Sequence, residues 1–254
     1  MPVLAQANNP GKGWLKHGAS FIGPDDLPWE FAAVLKKMGG RLSGVDNALV
    51  TIAGTYSEAG ETQQVQVSVQ APGYLRFEET GKANPRILTF DGSQFQVKNG
   101  KGGQNDMRVQ ESLMAYMPDT LLLQIAEGGG LRRIGSNFRT DNGKTPNYTG
   151  PYWTLYEFTP ADRPGLAKGQ ALQQGIFIAI DQRSALISEV RVVSKAPGAP
   201  QSVTQTKFNN WLQQNGQWYP GEIVRLENGS QVAKLTTQQG VTGAQISAAS
   251  IGRP

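Results

Sequence analysis

Apolar and polar residues alternate without a break over Gln64-Val65-Gln66-Val67-Ser68-Val69-Gln70. The three valines fall on one side and Gln or Ser on the other. A period of two is that of a strand with one dry and one wet face. The same period runs over Leu49 to Tyr56, with Val50, Ile52 and Tyr56 together, and over Tyr74 to Glu78. Arg86 to Phe90 and Gln94 to Val97 flank Asp91-Gly92 and read as a hairpin. Ala71-Pro72-Gly73 separates two of these runs, and a proline there predicts a bulge or an edge.

Two stretches change to helical spacing. Pro24-Asp25-Asp26-Leu27-Pro28-Trp29 supplies capping carboxylates and a first-turn proline. Trp29, Phe31, Ala32, Val34 and Leu35 then share a face, Lys36 and Lys37 suit the last turn, and Gly39-Gly40 stop the helix. After a glycine-rich loop over 98–105, apolar residues recur through 106–126 at Val109, Leu113, Met114, Met117, Leu121, Leu122 and Ile125. Pro118 is expected to divide this insert into two short helices, and Gly128-Gly129-Gly130 to end it.

The rest again reads as strands: Leu131 to Arg139, Tyr152 to Phe158, Ile176 to Ile180, Ala185 to Val193, Val203 to Trp211, Gln217 to Leu226 and Gln231 to Thr236. Asn215-Gly216 and Asn228-Gly229 are two-residue hairpin signatures. The order helix, strands, helical insert, strands predicts an α+β fold. About ten antiparallel strands have one dry face, and only the first helix and the insert are available to cover it. We expect a curved, open half-barrel wrapped around a helical lid. Residues 1–26 read as an extended arm, 27–246 as the domain and 247–254 as a tail.

Composition narrows this further. A chain of 254 residues can be one domain. Charged residues make up 17%, below the roughly 25% usual for soluble domains. The 31 glycines and 15 prolines favour a turn-rich β protein. The formal charge of +4 is scattered, with small clusters at Lys36-Lys37 and Arg132-Arg133, which argues against nucleic-acid binding. There is no cysteine, which removes disulfides, thiolate metal sites and cysteine nucleophiles. No apolar stretch has the length of a transmembrane helix. Ala5-Gln6-Ala7 has the small-x-small form of a signal-peptidase site, so we expect an exported protein whose leader is absent from this chain.

Candidate chemistry is sparse. His17 is the only histidine, and Asp25-Asp26 are better explained as helix caps than as metal ligands. No nucleophile elbow accompanies His17. Gly128-Gly129-Gly130 lacks the Lys-Ser/Thr of a phosphate loop. Glu78, Glu79, Glu157 and Glu189 are the carboxylates a glycoside hydrolase could use, on strands where exposed carboxylates are ordinary. The expectation is a non-enzymatic protein without metal or cofactor. The aromatics Tyr74, Phe77, Phe90, Phe95, Trp153, Tyr156 and Phe158 either line a ligand cavity or fill a core.

Three segments carry a family resemblance. They are VQVSVQAPGYLRFEET with LTFDGSQFQV (65–80 and 88–97), GIFIAIDQRSALISEVRVV (175–193) and FNNWLQQNGQWYPGEIVRLENGSQV (208–232). Their order and spacing resemble the outer-membrane lipoprotein carrier (LolA-like) superfamily over about residues 27–246. That resemblance implies an unclosed β-barrel with a helical lid, whose cavity takes up acyl chains of lipids or lipoproteins in the periplasm. It implies a periplasmic or cell-envelope location, and envelope membrane proteins as possible further partners. The wall would be Val65, Val67, Val69, Leu75, Phe77, Leu88 and Phe90; the lid would be Leu113, Met114, Met117 and Leu121. One departure stands out: the best-known carriers have an arginine directly before the strand proline, and here that position is Ala71. A broader hydrophobic-ligand role, or an envelope interaction module whose cavity is filled by its own side chains, are the readings this leaves open.

Overall fold

The protein is represented by a computed structural model. It describes residues 28–38, 49–70, 74–91, 94–115, 117, 118, 121, 125, 130–139, 143–159, 173–195, 198 and 200–242. The expected arm and tail, the Ala71-Pro72-Gly73 interruption and the Gly128-Gly129 stop lie outside the described residues, as do the side chains of Met114 and Tyr74.

The first helix, α1, spans Trp29–Met38. Strands β1 (Leu49–Glu58), β2 (Glu61–Gln70), β3 (Tyr74–Glu79), β4 (Ile87–Asp91) and β5 (Phe95–Lys98) follow. The insert opens with α2 (Gly103–Val109), continued by a π-helical segment over Gln110–Ala115. The second series is β6 (Gly130–Arg139), β7 (Tyr152–Thr159), β8 (Gln173–Asp181), β9 (Leu186–Lys195), β10 (Ser202–Asn209), β11 (Leu212–Gln214), β12 (Gln217–Tyr219), β13 (Glu222–Glu227) and β14 (Ser230–Thr242).

Twelve strands form one sheet in the order β5-β4-β3-β2-β1-β14-β13-β10-β9-β8-β7-β6, and β11 pairs with β12 apart from it. The expectation of about ten strands is thus too low. Two runs divide where the sequence reads as continuous. Pro220-Gly221 splits Gln217 to Leu226 into β12 and β13, because proline has no N–H for the ladder. Val203 to Trp211 ends at Asn209, ahead of Asn210 at φ 52°. The predicted Asn215-Gly216 and Asn228-Gly229 turns both form, each with two positive φ values as a type I′ hairpin requires.

Every pairing in the sheet is antiparallel, and the terminal strands β5 and β6 do not meet, so the sheet is open. Laid flat, twelve strands at about 4.8 Å spacing would span roughly 53 Å. Yet one contiguous apolar cluster includes Leu88 of β4, Leu235 of β14, Ile223 of β13, Ile178 of β8 and Leu131 of β6. Curling of the sheet shortens the distances across such a core. Gly54 helps: a Cβ there would lie 2.1 Å from the Thr236 carbonyl, at the irregularity where β1 and β14 change register. Helix α1 contributes Phe31 and Val34 to this core. Phe31 stacks edge-on to Tyr156 at 5.0 Å, and Tyr156 donates a 2.7 Å hydrogen bond to the buried Glu30 carboxylate.

Candidate functional site

The register sets the wall. Val67 sits opposite Ile52 on one side and Phe77 on the other, and Phe77 is opposite Leu88. One step along, Val50, Val69, Leu75 and Phe90 form a second row, extended by Phe95. Side chains in register on adjacent antiparallel strands lie within contact distance. Val67 and Val69 therefore each meet an apolar neighbour on both sides, whereas Val65 lies between Gly54 and Glu79.

All seven expected wall residues are buried, from 0% exposure at Phe77 and Leu88 to 6% at Phe90. Leu113, Met117 and Leu121 of the insert are equally buried, and with the wall they belong to one cluster. The structure thus places wall and insert residues in one apolar core. Met114 belongs to the same segment, but its side chain lies outside the described residues. Of the other aromatics, Tyr156 and Phe158 point into the core, whereas Trp153 alternates to the opposite face.

The insert is also tied down by charge. Arg86, just ahead of β4, is 2% exposed. Its Nη1 lies 2.5 Å from Glu58 Oε1 of β1, and its Nε donates at 2.8 Å to Asp106 Oδ1 of α2. Asp106 further accepts the backbone N–H of Gly102 at 2.7 Å. Lys101 Nζ bridges Glu61 at 2.8 Å and Glu58 at 3.4 Å. Tyr56 donates to Glu58 at 3.4 Å, and burial, reinforced by that carboxylate, pushes its phenol well above the ordinary range.

A second set lies on β13. Arg225, also 2% exposed, reaches Glu111 at 2.7 Å and Ser112 at 3.3 Å, both in the insert, and Glu227 at 3.0 Å on its own strand. Arg108 of α2 grips Glu227 with two donors at 3.0 and 2.9 Å. That guanidinium holds the Glu227 carboxyl below the usual range. Buried charges persist in a core only when paired in this way. These residues escaped the sequence reading. Arg76, the arginine nearest the expected family position, alternates to the face away from the core and bonds Glu78 at 2.8 Å.

The candidate hydrolase carboxylates are not brought together as a facing pair. Glu79 pairs with Lys82 at 2.5 Å on the inner face. Glu78, Glu157 and Glu189 alternate outward and pair with Arg76, Arg132 and Arg191. No group of three metal-ligating side chains occurs among the described residues.

No family model matches the chain. No curated protein matches it. Solved structures do. A LolA superfamily protein of Nitrosomonas europaea superposes with a TM-score of 0.51 at 12% identity, over 87% of this chain and 96% of that one. A DUF1329 family protein of Desulfovibrio piger gives 0.52 at 10% identity, over 88% and 95%. The chain has a LolA-like fold.

Proposed function

We propose that this protein binds or carries acyl chains, of a lipid or of a lipoprotein, between the β2–β4 wall and the helical insert, which acts as a lid. We place it in the periplasm or cell envelope, as an exported, non-enzymatic protein. The reading rests on one observation: two uninterrupted apolar rows belong to the same core as an insert that is separate from the sheet. The arrangement is the closed state. An acyl chain enters by taking the place of Leu113, Met117 and Leu121.

The magnitudes bear on which ligands suffice. Burying those three side chains contributes roughly 5–9 kcal/mol, which is lost when they lift away. An acyl chain returns about 0.8 kcal/mol per CH₂, so a twelve-carbon chain offers on the order of 9 kcal/mol and an eight-carbon chain roughly 6. Binding is therefore expected only for long chains, with affinity rising about fourfold per added carbon. Calorimetric titration with the C8 to C16 fatty acids tests this. Affinity that does not depend on chain length contradicts the proposal.

A second reading has its own support. The wall residues and Leu113, Met117 and Leu121 of the insert are almost completely buried. The protein would then be an envelope interaction module with a filled interior, and intact-mass measurement of gently extracted protein would find no bound lipid.

A further inference from the structure

The outward face of β6–β10 carries a depression of its own, independent of the core. The row Leu155, Ala179, Glu189, Lys207 crosses four strands in register. Ala179 is the small member, flanked by Leu155 and, two residues along β8, by Phe177, so the row dips there. Phe138 of the edge strand folds its ring over Gly135, 3.2 Å from where a Cβ would stand, and raises one bank. The result is a cleft of about 510 Å³ lined by Phe138, Trp153, Leu155, Phe177, Ala179 and Val193 together with Arg191 and Lys207. It shares Trp153, Glu189 and Lys207 with a neighbouring hollow of about 540 Å³. Volumes of this size suit a small ligand.

Two polar groups in these walls are unused. The Trp153 indole N–H is buried without a hydrogen-bond partner among the described residues. Lys207 makes no ion pair among the described residues, although Glu189 stands opposite it. Glu189, 3% exposed, is instead held through one oxygen by Arg191 at 2.8 Å and Gln205 at 3.1 Å. With Arg139, also on the lining, the cleft holds three cations and one anion. An unpaired ammonium beside apolar and aromatic walls favours a ligand that is anionic at one end and apolar along the rest.

We propose that this outward cleft binds a single-chain amphiphile with a carboxylate head. The carboxylate pairs with Lys207, and the chain lies over Ala179 between Leu155, Phe177 and Phe138. The site is separate from the β2–β4 wall, and neither depends on the other.

The test is an NMR titration of the whole chain, reading the indole ¹⁵N–H signals of its five tryptophans, with Trp153 assigned from Trp153→Phe. The probe is dodecanoate below its micelle concentration. Dodecyl maltoside supplies the same tail without charge, and acetate the head without tail. Dodecanoate is expected to shift the Trp153 signal saturably, while the two controls do not at equal concentration. Lys207→Met should weaken that titration roughly tenfold, the effect of one charge-assisted hydrogen bond. Ala179→Leu, which fills the dip, should abolish the shift in a protein that still unfolds cooperatively. A Trp153 signal indifferent to dodecanoate, an equal response to the maltoside or to acetate, or an unchanged Lys207→Met titration each overturns the proposal.

Discussion

Replacing Arg86 by methionine isolates the charge that ties the insert to the sheet. Methionine keeps an unbranched apolar stem, so packing against Phe77, whose ring lies 5.7 Å from the guanidinium, changes little. What is lost is the cation between Glu58 and Asp106 at 2.5 and 2.8 Å. Glu58 keeps Lys101 at 3.4 Å and the Tyr56 hydroxyl, and Asp106 keeps backbone amides, but neither retains a buried counter-charge. Removing one partner of a buried ion pair costs about 3–5 kcal/mol, largely the penalty on the charges left behind. Against a total stability of roughly 5–15 kcal/mol, that is a substantial share. For a chain of this size it corresponds to a fall in Tm of about 6–20 °C. Urea unfolding followed by circular dichroism measures it. The triple variant Glu58→Gln, Arg86→Met, Asp106→Asn removes the stranded charges and is expected to be more stable than Arg86→Met alone. A loss below about 1 kcal/mol for the single variant, or a triple variant no better than it, refutes the electrostatic account.

Phe77→Ala should cost about 3–5 kcal/mol in the same assay, because Phe77 is fully buried and meets Tyr56 edge-on at 5.4 Å; a loss under 1 kcal/mol would mean the wall is not tightly packed. Glu227 makes a pH prediction. Its carboxyl is held below the ordinary 4.5 by Arg108, so the pair stabilises the fold above that value and the contribution disappears as pH falls through the lowered pKa. Urea midpoints at pH 7 and pH 3.5 should therefore differ less in Arg108→Gln than in the unmodified chain, and an equal difference in both contradicts the assignment. Gly54→Val should destabilise strongly, since its Cβ would meet the Thr236 carbonyl at 2.1 Å; a thermal melt within a few degrees of the unmodified chain would show that β14 can give way there.

The parts legible in the sequence are those governed by local periodicity. Alternation over Gln64 to Gln70 placed Val65, Val67 and Val69 on one face, and the structure buries all three. Asn215-Gly216 and Asn228-Gly229 marked hairpins because few other pairs tolerate two positive φ values. The misread elements share a cause. In Gly175 to Ile180, near-continuous apolarity gives no sign that Phe177 and Ala179 face outward, so the outer cleft was invisible. Trp153 reads with the aromatics that either line a cavity or fill a core, although along β7 it is out of phase with Tyr156 and Phe158. The Arg86 and Arg225 networks join residues 28 and 113 positions apart, a pairing that only the strand register discloses. A lone arginine beside a strand reads as a solvated charge until its carboxylate partners are placed.

The central claim is that an acyl chain lies against the β2–β4 wall beneath the insert. Photolabelling with a diazirine-bearing palmitate, mapped by peptide mass spectrometry, addresses it directly. The account predicts adducts in the peptides that carry Val67, Phe77 and Leu88 and in the 113–121 segment. Labelling confined to the outward strand faces around Phe138, Trp153 and Phe177, or no labelling at all, would contradict it.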